Sequence, residues 1–217
     1  MAHVPASVRR PQLIQAAIDL MVREGLAAGN TRAIAAELGV AQATVHYTFG
    51  TKEELYIGVL RHLTGDLVAQ VERAAPCGGD FAEAIAALAA GLWRTVQERP
   101  ANYKLLYELC TLALHTPRLS EVLESHYRDM FRMTGDLVAR TAARTGQDLA
   151  QPPETVARFF LAGFDGLTLQ RFALRDEEAE TVCLQTLVSS VVAFAVGRTK
   201  PVLLPAKDSQ PAHTSSL

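Results

Sequence analysis

Cysteine is scarce and scattered in this chain: Cys77, Cys110 and Cys183 are odd in number, far apart, and outside any C-x-x-C pair. No disulfide framework or thiolate metal site can be built from them, so they read as reduced packing thiols in a cytosolic protein. Aromatics make up only 6% of the residues, and no stretch alternates apolar with polar as a half-buried strand would. Excess charge of one sign is missing too. The formal net charge is −2, so bulk electrostatics cannot coat nucleic acid or membrane with this molecule, and any anion binding must be local. No apolar run of signal-peptide or membrane length follows the start "MAHVPASVRRPQ", so a cytoplasmic location with no membrane partner is expected. Catalytic signatures are absent as well: there is no G-x-S-x-G, no H-E-x-x-H and no phosphate-cradling glycine loop. The acidic groups Glu121 and Glu124, and Asp176, Glu177 and Glu178, sit at turns and helix starts and read as solvated. Neither an enzyme nor a protein dependent on a cofactor or metal is expected.

What is present is helical period. The chain has 217 residues, enough for one small domain and one of ordinary size. Leu13, Ile14, Ala17, Leu20 and Met21 recur at spacings of three and four, with Gly25 as the expected C-cap. Thr31 is placed as the N-cap of a short second helix ending at "LGV", and residues 42 to 48 make a third. A long fourth helix runs from Lys52 to Ala75, broken by "PCGGD", in which the Asp is suited to capping. Five more are predicted over 81–98, 102–115, 118–145, 154–174 and 177–197, with short polar separators. From Arg198 onward, three prolines and small polar residues predict a mobile tail, 198–217. The expected fold is all-α: a helix-turn-helix domain over 1–51, a helical ligand-binding and dimerisation bundle over 52–197, then the tail.

Two short helices joined by three or four residues around a glycine form a helix-turn-helix. Gly39 supplies the turn, Ala35 must be small so that the second helix crosses closely, and Val40 and Val45 pin that helix to Ile34 and Leu38. The core then leaves Gln42, Ala43, Thr44, His46 and Tyr47 on the outer face. The DNA major groove admits one helix, Gln and Thr can contact base edges, and a small Ala allows close approach.

Residues 13–60 resemble the tetracycline-repressor (TetR) family of bacterial transcription regulators. The resemblance is carried by "AA..L....G", "T..IA.ELGV", an aromatic cluster before Phe49, and "KEEL", in that order. It implies that Thr31, Thr44, Tyr47 and Lys52 meet phosphates or base edges, with Arg32 beside Thr31 as a further candidate. Two positions depart from the family pattern: Ala41 stands where a capping Ser is frequent, and Thr48 where an aromatic or His is common.

Through residue 62 six basic residues (Arg9, Arg10, Arg23, Arg32, Lys52 and Arg61) face five acidic ones, a net of +1, so tight binding must rely on placed contacts repeated by a dimer. Lys52 begins a helix, where its ammonium and the helix amides can share a phosphate, unless it pairs with Glu53 and Glu54. Arg9 and Arg10 precede the first predicted helix as a candidate basic arm, or as a solvated terminus. His46 can read a base or fill the interface with the first helix; Phe49 is core.

The remaining two thirds forms a bundle able to hold a cavity. Trp93, Tyr103, Tyr107, Phe131 and Phe164 are candidates to line it, with His115, Gln170, Asn102, His126 and Asp165 as polar groups that orient a ligand. For Asp165 the competing reading is a helix-helix hydrogen bond or a partner arginine such as Arg171 or Arg158. The last two helices, within 154–197, carry more apolar surface than a monomer's exterior should, and Gly163 and Gly166 are read as permitting close approach of a partner. The resemblance implies a four-helix homodimer interface there. The function expected is a ligand-responsive regulator, a repressor released from a pseudo-palindromic double-stranded operator by a small hydrophobic or amphipathic effector. The alternative is a helical ligand-binding or interaction protein whose hairpin is only structural.

Overall fold

A computed structural model describes residues 5–73, 78–199 and 202, and among these residues the secondary structure is nine α-helices and one short 3-10 turn, with no strand. The helices are α1 (Ala6–Glu24), α2 (Thr31–Leu38), α3 (Gln42–Phe49), α4 (Lys52–Arg73), α5 (Phe81–Glu98), α6 (Pro100–Leu114), α7 (Pro117–Thr145), α8 (Pro153–Ala173) and α9 (Glu177–Ala195). The expected tail, like Cys77, lies outside the described residues apart from Arg198, Thr199 and Val202.

Local chemistry sets the boundaries. Gly25 ends α1 at φ 90° and Gly39 ends α2 in the left-handed region at φ 62°, both inaccessible to most side chains without strain. Asp80 caps α5 in a reciprocal box: its Oδ1 accepts from the Glu83 amide at 2.9 Å while its own amide donates to Glu83 Oε2 at 3.0 Å. Asp176 caps α9 by accepting from the Ala179 amide at 3.0 Å.

Several expected boundaries shift. α2 is capped by Asn30, whose Oδ1 accepts from the Ala33 amide at 3.0 Å, so Thr31 is its first helical residue and not its cap. α6, α7 and α8 each begin on a proline (Pro100, Pro117 and Pro153), earlier than expected. A proline at the first helical position lacks only an N–H that has no intrahelical partner anyway, so these prolines start helices instead of separating them. α1 extends back through Pro11 to Ala6, which takes Arg9 and Arg10 out of any arm. Arg10 instead donates to the Thr48 carbonyl at 3.1 Å and stacks 5.0 Å from the Phe49 ring centroid, tying α1 to the end of α3.

Three hydrophobic clusters fill the interior. The first joins α1, α2 and α3 to the start of α4 and also to Leu105, Leu109 and Ala113 of α6 and Leu119 and Leu123 of α7. The core holding the hairpin therefore crosses residue 51 and reaches into the body. The second joins α5, α7, α8 and α9, and the third groups Trp93 and Val96 of α5 with Tyr103 of α6 and Phe164 of α8. α7 packs along α8, and α8 along α9. Gly135 allows the first of these, since a Cβ there would sit 3.0 Å from the Glu154 backbone nitrogen. Gly163 allows the second, since its Cβ would meet Leu187 Cδ1 at 2.5 Å. It therefore serves the chain's own α8–α9 contact and not a partner's approach, whereas Gly166 looks onto open space. Cys110 is half-buried, and burial pushes its thiol up to about 11, as suits an inert packing thiol. Cys183 is exposed on α9, against the packing role expected for it.

Candidate nucleic-acid interface and effector cavity

The turn between α2 and α3 is built by backbone: the Gly39 amide donates to the Ala36 carbonyl at 3.2 Å and the Val40 amide to the Ala35 carbonyl at 2.9 Å. Ile34, Ala35, Val45 and Phe49 are buried, with Leu38 and Val40 packed against the same core. That leaves one face of α3 outside. Gln42, Ala43, His46 and Tyr47 are exposed, Tyr47 at 94%, while Thr44 is half-buried at the edge of the face. Exposure removes the competing reading of His46, which does not fill an interface with α1, and it leaves the Tyr47 ring unpacked by the hairpin. Ala41 caps α3 without a side-chain hydrogen bond, and Gln42 Nε2 donates to Thr31 Oγ1 at 3.1 Å, holding the start of α3 to the start of α2. Thr48 turns back onto its own helix, its hydroxyl donating to the Thr44 carbonyl at 2.8 Å.

Internal pairing sharpens the charge pattern. Arg23 grips Glu37 with both terminal nitrogens, at 3.1 and 3.0 Å, and also contacts Glu24, so two of the five acids are matched between α1 and α2. The pairing holds the Glu37 carboxyl below its ordinary range. Glu54 turns to Arg118 at 3.3 Å and not to Lys52. Lys52 is exposed, its Nζ 5.3 Å from the Tyr56 ring centroid. It stands beside a notch lined by Asn30, Thr31, Gly50 and Thr51. Thr51 caps α4 by accepting from the Glu54 amide at 3.2 Å. Thr31, in the notch's wall, is half-buried, and Arg32 next to it in the chain is exposed.

Within the body, a cavity of about 130 Å³ opens between α5, α6, α7, α8 and α9, touching α4 at Thr64. Its wall is apolar and soft, with Leu88, Met130, Met133 and Phe160 among the lining residues. Of the expected ligand residues it takes Tyr103, Phe164 and Asp165. Trp93 stands behind Phe164, edge to face at 5.8 Å, and Tyr107 stands behind Asp165, its hydroxyl donating to Asp165 Oδ1 at 3.1 Å. Phe131 lies against Tyr127 and under Arg158, away from the cavity. His115 and Gln170 are exposed, His115 because it ends α6 as the C-cap and Gln170 because it falls on the outward side of α8. These two expectations are corrected. His126 and Met130 line a neighbouring cavity of about 150 Å³, where His126 Nδ1 lies 3.4 Å from Thr64 Oγ1. The residues of α7 that sequence reasoning missed, Met130, Met133, Thr134, Leu137 and Val138, follow a helical stripe that was legible in the spacing.

Asp165 makes the helix-helix hydrogen bond, from Tyr107 of α6, and pairs with neither arginine. Arg158 is over Phe131, and Arg171 binds Glu180 in a buried ion pair that stacks 5.8 Å from the Trp93 ring centroid. Burial raises the Asp165 carboxyl above its ordinary range, with Tyr107 partly opposing it. Burial and the neighbouring carboxylate raise Tyr107, and burial pushes Tyr103 up to about 12, its hydroxyl 2.8 Å from Thr95 Oγ1. Because the folded state holds the Asp165 proton more tightly than the unfolded state, its ionisation costs stability as pH rises from about 4 through the raised folded value. Asp165→Asn is therefore expected to raise the melting temperature at pH 8 and to lose that advantage as pH approaches about 4. Thermal melts across that range check it, and an equal or lower melting point at pH 8 contradicts it.

The outer side of α8 and α9 is apolar and open, with Leu169 59%, Leu174 78% and Val182 56% exposed. α9 alone is long and apolar enough to cross a membrane by length and mean hydropathy of 1.2, among the described residues. The buried Arg171–Glu180 pair fixes it instead to α8.

A hairpin offering one uncommitted helix face, carried on a helical body that encloses a ligand-sized cavity, is the architecture of a DNA-binding regulator that responds to small molecules. Comparison with known proteins gives it a family. Residues 13–59 match the model for bacterial regulatory proteins of the tetR family, and residues 94–194 match that for the C-terminal part of BetI-type transcriptional repressors. The chain is 31% identical over 166 residues to the HTH-type nicotine-responsive transcriptional repressor HdnoR of Paenarthrobacter nicotinovorans, covering 76% of this chain and 84% of that one. It is 27% identical over 164 residues to the HTH-type transcriptional regulator BetI of Rhizobium meliloti, covering 76% and 78%. The crystal structure of the multidrug binding protein EbrR complexed with ethidium superposes with a TM-score of 0.66 at 28% identity, covering 84% of this chain and 98% of that one. The chain belongs to the TetR family of transcription regulators.

Proposed function

We propose that the chain is a repressor that binds a pseudo-palindromic operator as a homodimer and leaves it when a hydrophobic or amphipathic organic effector fills the body cavity. The observation that carries this is the outer face of α3. A tyrosine 94% exposed beside Gln42, Ala43 and His46, on a helix whose other side is locked into the core, has no structural use within the chain. In the major groove these side chains and Thr44 meet base edges, while Thr31, Arg32 and Lys52 meet phosphates on either side. The apolar face of α8 and α9 closes on its twofold copy, and that pairing sets two α3 helices about 34–36 Å apart, one helical turn, or a multiple of it. An intracellular location follows from the DNA partner, and no covalent step is required.

Effector and operator are coupled through shared elements. Thr64 of α4, Tyr103 and Leu106 of α6 and Met130 of α7 line the cavity. The other ends of those same helices supply Leu55, Leu109 and Leu119 to the hairpin's core. A ligand that spreads α6 and α7 tilts α4 and changes the separation of the two α3 copies. Coupling of about 1–3 kcal/mol weakens operator binding roughly 5–150-fold. HdnoR, nicotine-responsive by name, and EbrR, crystallised with ethidium, support an organic effector.

Selecting and sequencing fragments of a genomic library bound by the protein tests the reading. Inverted repeats with half-sites on one face of the duplex are expected; a folded dimer that enriches no fragment overturns it. On a recovered site, Lys52→Ala is expected to reduce the slope of log affinity against log salt by about 2, one phosphate per half-site at about 0.9 each. Titrations at several salt concentrations read this directly, and an unchanged slope removes Lys52 from the phosphate contacts.

A further inference from the structure

Among the described residues, Asp165 is the single acid on the cavity wall, and none of the lining residues is basic. Its protein partner is one neutral donor, the Tyr107 hydroxyl at 3.1 Å. Three cations of the surrounding helices are engaged elsewhere: Arg171 with Glu180, Arg158 at 5.4 Å from the Phe131 ring centroid, and Lys104 at 5.4 Å from that of Phe172. A carboxylate set in an apolar wall with one hydroxyl partner keeps spare acceptor capacity and an uncompensated charge. Anionic ligands would meet repulsion there with no base to offset it, whereas a cation would supply what the site lacks. The rest of the wall suits the same class. Tyr103, Phe160 and Phe164 bring aromatic rings able to face an alkylammonium group, and Met130 and Met133 are polarizable and adaptable in shape.

We propose that the cavity selects hydrophobic organic monocations, a quaternary or protonated tertiary amine on an aromatic or alkyl body, whose charge pairs with the Asp165 carboxylate. One carboxylate sets one charge, and Tyr107 holds the carboxylate in place as a positioning residue. This rests on the cavity being the effector site, as proposed above.

Three probes of matched size separate the two readings: benzyltrimethylammonium, its uncharged carbon isostere neopentylbenzene, and the anion phenylacetate. Binding to the full chain is measured by calorimetry, with thermal shift alongside. The cation is expected to bind the wild type, phenylacetate not to, and Asp165→Asn to weaken the cation about tenfold or more while leaving the isostere unchanged. Unchanged cation affinity in Asp165→Asn, or phenylacetate binding the wild type as tightly as the cation, overturns the charge selection. If only the isostere binds the wild type, the effector cavity stands and the cation proposal falls. If none of the three binds, both fall.

Discussion

Arg171→Ala is expected to destabilise the fold by about 3–5 kcal/mol, because it strands the Glu180 carboxylate where water cannot reach it. The two side chains are only 9% and 8% exposed, and they join α8 to α9 beneath Trp93. Glu180 also accepts from the Asp176 amide at 3.2 Å, so the substitution loosens the first turn of α9 as well. For a chain of this length the melting temperature should fall on the order of 10 °C. Replacing both partners with apolar residues of similar volume, Arg171→Met with Glu180→Leu, should recover most of that stability, since no charge is then left unpaired. Thermal and denaturant unfolding of the single and double variants measure it. A single variant as stable as the wild type contradicts the pairing.

Tyr47→Ala should act in the opposite way, leaving stability within about 0.5 kcal/mol while abolishing function. The side chain is 94% exposed and contributes nothing to the hairpin's core. Deleting the proposed hydrogen bond to a base edge or phosphate should cost about 1–3 kcal/mol in each half-site, so operator affinity should drop on the order of 100-fold or more. Fluorescence anisotropy on a selected fragment reads the affinity, and sedimentation confirms the oligomeric state. Unchanged affinity in an intact dimer would make the hairpin purely structural and favour an interaction protein instead.

The helices were legible in the sequence because apolar residues recur at three and four positions over long stretches, and α5 begins and ends where that period does. Capping was legible where the chemistry is local, at Gly25, Gly39 and Asp80, since a positive φ or a reciprocal side-chain bond needs particular residues. Prolines misled because their meaning depends on one position: Pro117 starts α7 where sequence spacing alone makes it a separator. The same holds for Arg10, whose contacts with Thr48 and Phe49 lie 38 and 39 positions away. The outer face of α3 was legible for a simple reason. The buried set on so short a helix, Val45 and Phe49, fixes what remains outside.

The cavity was less legible. Aromatic content pointed to Trp93, Tyr107 and Phe131, yet a large ring on an apolar helix face is most often core, and Trp93 serves as a platform for Phe164 and Arg171. Lining a cavity depends on where neighbouring helices fail to meet, which is set by several pairwise crossings at once. Asp165 stood out in sequence because an acid in "FFLAGFDGLTLQRF" must find a partner or a use, but that partner, Tyr107, lies on another helix. Arg171 was read as a partner for Asp165, yet the α8–α9 packing buries it against Glu180, nine positions on, a pairing that spacing alone does not reveal.

Operator recognition as proposed requires that a twofold pair of chains present two copies of α3 to successive major grooves. Dimethyl sulfate protection of guanine N7 on a selected fragment, combined with hydroxyl-radical footprinting, bears on this without intermediate steps, since N7 lies in the major groove and radical attack reports the backbone. Two protected major-groove segments are expected on one face of the duplex, centred about one helical turn or a whole multiple apart, both disappearing with Tyr47→Ala. A single protected segment, or backbone protection with every N7 still reactive, would rule the paired arrangement out.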